Sequence, residues 1–188
     1  LLVNADFNAG NTGFTTDYQF VPRPASPATT SPNGLYPEGL YAVDVDAQHC
    51  HNVFRGMGRA NATNPSDRFM IVNGASTVQR VYSQTVLVQP NRYYTFSCYV
   101  NNLIVPGTNI GKPEIGFVIN GESTSSTKVI EESPDRWVRA SDIWFSGSST
   151  TATFEIRNRS VAASGNDFGI DDVYFGTCNL PPVANSDL

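Results

Sequence analysis

Two groups of residues carry side chains suited to chemistry. Hard oxygen donors stand near both ends of the chain: Asp6 and Asn8 early, and the adjacent pair Asp171-Asp172 late. A hard cation such as calcium takes six to eight oxygens, mixing carboxylates with amide and main-chain carbonyls. Adjacent carboxylates repel unless a cation or a donor neutralises them. The plainer reading has Asp171 capping a turn and Asp172 facing solvent. The second group mixes rings, amides and a guanidinium: Arg80, Tyr82, Gln84, Tyr99, Asn101 and Trp144. An aromatic face stacks on the C–H groups of a sugar, while planar amides and arginine bond its hydroxyls. Against this, Tyr82 and Trp144 suit core or edge packing equally well. Tyr18, Phe20, Tyr36 and Tyr41 offer a second ring cluster at loop tips.

Other constellations are weaker. Alternate histidines in His49-Cys50-His51 point the same way if extended, which suits a transition metal, but no third ligand follows by spacing. Exposed loop histidines explain them as well. Catalysis has little support: there is no G-x-S-x-G elbow, and 2 histidines are all the chain has to serve a triad. Glu131-Glu132 reads as a solvated pair. Of the 3 cysteines, Cys98 lies mid-strand as a small hydrophobe, and Cys50 and Cys178 sit at element edges where they could pair.

The elements that must position these residues are strands. Beta-branched and aromatic residues dominate, and turn residues recur at short intervals. Strands are predicted at 70–72, 78–88, 93–101, 114–119, 137–145, 151–158 and 168–175, and Leu1-Leu2-Val3 reads as the start of another. Asn73-Gly74 and Asn120-Gly121 read as hairpin turns. Alternation in the 93–101 segment puts Tyr94, Phe96, Cys98 and Val100 on a core face, and Tyr93, Thr95, Ser97, Tyr99 and Asn101 on a wet one. Ala152, Phe154 and Ile156 likewise alternate with Thr153, Glu155 and Arg157. Arg80, Tyr82 and Gln84 join the wet face, with Trp144 beside them. Two long loops interrupt this rhythm, one proline-rich over 21–39 and one polar over 51–68. The pattern predicts an all-β antiparallel sandwich of one domain, 1–178, with 179–188 as a linker to a following domain.

The chain of 188 residues carries 12 Lys+Arg against 17 Asp+Glu, a net charge of −5, and only 15% charged residues. That balance is wrong for nucleic acid, which needs a basic footprint. No apolar run approaches the ~20 residues that span a bilayer, so no membrane insertion is expected.

Three stretches, taken together, resemble a known fold family: Leu2-Val3-Asn4-Ala5-Asp6-Phe7-Asn8-Ala9-Gly10, then Met70-Ile71-Val72-Asn73-Gly74 with Val81-Tyr82-Ser83-Gln84, then Gly165-Asn166-Asp167-Phe168-Gly169-Ile170-Asp171-Asp172. They look like the galactose-binding-like jelly-roll domains of bacterial carbohydrate-binding modules. The resemblance implies neighbouring first and last strands, so that Asp6, Asn8, Asp171 and Asp172 converge on a structural calcium. It implies a polysaccharide or glycan ligand across a concave face, where the Tyr-Ser-Gln run matches a position used by relatives. Asn8 departs from the acidic residue often found there, which lowers the charge of the site. The tail Pro181-Pro182-Val183-Ala184-Asn185 resembles the start of a cadherin-like repeat, implying a secreted or cell-surface parent with neighbouring domains in the same chain. The expectation is a non-catalytic carbohydrate-binding module. The rival is a structural or adhesion module that binds no sugar, and a polysaccharide lyase is a more distant third.

Overall fold

The structure, a computed structural model, describes residues 1–22, 34–104, 111–131, 134 and 136–177. Ten strands build two sheets among them: β1 (Gln19–Phe20), β2 (Leu40–Asp44), β3 (Phe69–Asn73), β4 (Gln79–Leu87), β5 (Tyr93–Asn102), β6 (Glu114–Ile119), β7 (Glu122–Val129), β8 (Val138–Phe145), β9 (Thr151–Asn158) and β10 (Phe168–Thr177). The six-stranded sheet runs β1-β2-β3-β10-β5-β8 and the four-stranded sheet β4-β9-β6-β7. The described pairs are antiparallel except β1 with β2. This is the antiparallel jelly-roll sandwich expected. The linker at 179–188 lies outside the described residues.

Period-2 alternation builds the core. The inward residues of β5, namely Tyr94, Phe96, Cys98 and Val100, are all buried. From the facing sheet come Ala152, Phe154 and Ile156. Phe96 and Phe154 lie 5.4 Å apart and Phe154 and Phe175 5.6 Å, so the seam between the sheets is largely aromatic. Burial also pushes the Cys98 thiol up, which keeps it protonated and inert.

Several expectations are corrected. Leu1-Leu2-Val3 forms no strand; residues 1–14 run as turns and bends, with Ala5 accepting a bond from the Val173 N–H at 2.8 Å. The two ends of the domain are therefore side by side, but through a coil rather than a first strand. Asn73-Gly74 is not a hairpin: β3 stops there and the chain crosses to the other sheet, with Gly74 tight against Asn166. Asn120-Gly121 is one, with both residues at positive φ, 53° and 88°, as a type I′ turn demands. Strands β1, β2 and β7 have no counterpart in the expectation. β7 is polar and almost wholly exposed, so it carries little alternation to read.

Removing one side chain from the seam should be costly. Phe154→Ala is expected to destabilise the domain by about 3–5 kcal/mol, measured by chemical denaturation.

Candidate functional site

The outer face of the six-stranded sheet is divided in two. Over β2 and β3 it is covered by a second hydrophobic cluster, in which Cys50, Phe54, Leu103 and Ile104 pack on Phe69 and Ile71. Trp137 extends this cover, lying edge-on to Phe69 at 5.5 Å and over Gly169, where a β-carbon would stand 3.1 Å from its ring. Over β5, β8 and the far part of β10 the face is open. Arg59 marks the border: its guanidinium lies 4.2 Å above the Tyr99 ring and pairs with Asp172.

Beyond that border stands a row of exposed rings. Tyr93 of β5 and Phe145 of β8 are cross-strand partners with centroids 4.9 Å apart, and both are about half exposed. Tyr174 of β10 is also half exposed, and the hydroxyl end of its ring reaches over the bare backbone of Gly176, where a β-carbon would collide with it. Ile143 fills the position between them on β8. Tyr99, Ser97, Asp172 and Tyr174 line a groove of about 450 Å³ with Ala5 and Asp6 at its rim. The outer face of the four-stranded sheet differs in kind. Thr85, Thr153 and Glu155 occupy it, with Arg157 bonded to Glu155 at 2.8 Å and Arg80 to Asp17 at 2.6 Å. That surface is polar and self-paired.

Of the six residues expected to share a wet face, the structure keeps Tyr99 in the groove and disperses the rest. Tyr82 is fully buried, and its hydroxyl accepts a bond from Gln84. The cause is a β-bulge between Arg80 and Tyr82, which reverses the direction of every later side chain in β4. Arg80 stays outside, while Gln84 turns inward and bonds Val3 from both ends of its amide. Asn101 is fully buried beneath the second cluster, donating to the Pro134 carbonyl. Trp144 pairs with Tyr94 and packs inward at the sheet edge. In the other ring cluster, Tyr18 and Tyr41 are core residues, and only Tyr36 is strongly exposed. The sequence did not suggest Tyr174, Phe145 and Arg139 as site residues, although alternation from Tyr99 and Tyr93 across the pairing would reach them.

The four oxygen donors meet at one rim but do not act alike. A bulge in β10 puts Asp172 at φ 46°, a left-handed position that Asp tolerates. Asp172 thereby turns out to Arg59. Asp171 stays under cover, 1% exposed, accepting N–H bonds from Arg59 at 3.2 Å and from Asp172 at 2.7 Å. Burial pushes its carboxyl up to about 8, and the charges of Asp172 and Asp67 add to that against the two N–H donors. Asn8 donates to Asp6 at 3.1 Å and to Asp67 at 3.4 Å, joining the N-terminal coil to the 59–68 loop. Among the described residues no group of three or more His, Cys, Asp or Glu side chains is placed to hold a metal ion. His49 is turned to Asp44 at 3.1 Å, and His51 stacks on Phe54. Cys50 is buried in the second cluster, and its suggested partner Cys178 lies outside the described residues.

No family model and no curated protein sequence matches the chain. Solved structures do. An apo cyclase from Fischerella sp. aligns with a TM-score of 0.59 at 10% identity, over 93% of both chains. The module TmCBM61, solved in complex with beta-1,4-galactotriose, aligns at 0.50 and 14% identity over 94% of this chain and 97% of its own. The CBM22-1 xylan-binding domain from Paenibacillus barcinonensis Xyn10C aligns at 0.50 and 13% identity, over 92% of this chain and 91% of that one. The chain spans 66% of a sugar-binding EclA C-terminal domain and 21% of a bacteriophage CBA120 tailspike domain. At these identities the likeness is one of fold: the domain has the jelly-roll sandwich seen in carbohydrate-binding modules.

Proposed function

We propose that the chain is a non-catalytic carbohydrate-binding module of a secreted or cell-surface protein, and that it takes glycan on the open half of the six-stranded sheet. The observation that carries this reading is the row of exposed rings, Tyr93, Phe145 and Tyr174, continued by Tyr99. A contiguous strip of exposed rings on rigid strands marks an interaction surface. Exposed rings fixed on rigid strands offer faces to sugar C–H groups, and the nearby guanidiniums supply polar partners for hydroxyls. The sugar-bound and xylan-binding relatives in fold support the ligand class. The cyclases share the same fold, so fold alone does not decide between binding and catalysis. The exposed strip does favour binding.

We also propose one structural calcium at the rim, held by Asp67 and Asp171 with amide and main-chain oxygens; Asp6, turned to Asn8, lies outside that shell. The support is chemical. Asp171 is buried beside two other carboxylates, and calcium accepts amide and main-chain oxygens as readily as carboxylates. Asp172, engaged by Arg59, lies outside that shell.

Tyr174→Ala and Tyr99→Ala, each shown folded by circular dichroism, should weaken retardation on polysaccharide affinity gels about tenfold or more, as removal of a stacking anchor does. A wild-type protein blank on a broad glycan panel would favour the structural or adhesion module instead. Calcium at 100 times its dissociation constant should add ~2.7 kcal/mol, read as a higher melting temperature than in chelator; equal melting in both would remove the ion. In chelator the Asp171 proton has its own signature. Its folded value of about 8 lies above the unfolded value of about 4, so stability should fall as pH rises between the two and level off above. Asp171→Asn should flatten that slope, leaving the smaller share due to Asp167, which burial pushes up to about 7.

A further inference from the structure

Arg139 stands directly across from Tyr99 in the β5–β8 register, on the open half of the sheet. Its Nη2 donates to the Ser97 hydroxyl at 3.3 Å. Ser97 is buried on β5, so this bond ties the guanidinium to a rigid element. Among the described residues Arg139 makes no ion pair, although acids outnumber bases 17 to 12 in the chain. The described acids close by are each engaged elsewhere. Asp142 faces inward and accepts the Ser126 N–H at 3.0 Å. Asp172 is taken by Arg59 and Asp171 is buried. Asp6, at the groove rim, is turned to Asn8. The outward positions of β5 and β8 on this half read Tyr93, Thr95, Ser97, Tyr99 and Arg139, Ser141, Ile143, Phe145, with one charge, and that charge is positive.

A guanidinium with spare donors beside a stacking ring matches a planar carboxylate, which it binds through two parallel N–H···O bonds. We infer, on the proposal that this face binds glycan, that its ligand is an acidic polysaccharide carrying uronate residues, with Arg139 taking the sugar carboxylate while Tyr99 stacks on a ring. Arg139 is then the residue that sets specificity for charge. The remaining rings are indifferent to it.

Affinity electrophoresis of the intact protein on polygalacturonate, on neutral beta-1,4-galactan and on a sulfated galactan tests this. Polygalacturonate should bind most tightly, and the binding should weaken as salt rises, because exposed pairs are screened. Arg139→Gln should lose about tenfold or more on polygalacturonate, a larger loss than on galactan, while Arg139→Lys restores part of the loss. Galactan or the sulfated polymer bound as well as polygalacturonate, or an Arg139→Gln protein indistinguishable from wild type on the uronate polymer, overturns the inference and leaves the glycan-binding reading intact. Absence of binding to all three and to a broad panel overturns both.

Discussion

Side-chain alternation along β5 and β10 is the constraint on which the rest depends. These two strands are paired through most of their length and sit inside the six-stranded sheet, so each residue must serve either the seam between the sheets or the outer face. The inner set is nearly all ring and aliphatic carbon, and it fixes register, since a slip of one residue would turn Phe96 and Phe175 to water. With the register fixed, Tyr99, Asp171 and Arg139 have no choice of neighbours. They fall side by side on the outer face. Packing sets that arrangement, and the chemistry of the outer face is what packing leaves over.

The outer face is resolved by a boundary. The 45–60 segment folds over β2 and β3 and buries Ala47, Cys50 and Phe54 there, leaving the rest of the sheet uncovered. Where it stops, Arg59 bridges the covered and open halves by touching Asp172 and Tyr99 together. A buried carboxyl, Asp171, and the half-exposed rings therefore meet along one line.

Much of the sandwich was legible in the sequence because its strands alternate cleanly. The 93–101 segment shows this best: its inner and outer sets fall on the two sides expected, apart from Asn101, which the second cluster buries. The wet-face assignment of Tyr82 failed for a definite reason. Period-2 reasoning carries across a strand only while no extra residue intervenes, and the bulge after Arg80 leaves no mark in residue type. Trp144 failed because its partner across β8 is the inward Tyr94, a relation that pairing sets and composition does not. Acidic residues from the two ends of the chain come together, but the division of labour between Asp171 and Asp172 depends on a left-handed residue that only the folded backbone reveals. Asp67 and Arg59, both in a loop read as merely polar, complete the rim through long-range contacts with no local signature.

The edges of the two sheets close on one another. Asp142 of β8 receives the main-chain N–H of Ser126 in β7, and although burial alone would raise its carboxyl, that bond and the Ile143 N–H hold it below the usual carboxylate range. On the opposite side, Thr15 bridges to Ser83 and covers the free margin of β4. Strand margins are where β proteins stick to their own copies. Where a margin is occupied by the domain's own side chain or coil, crowding at high local density, as on a surface array or in tandem, has one template fewer from which to seed a fibre.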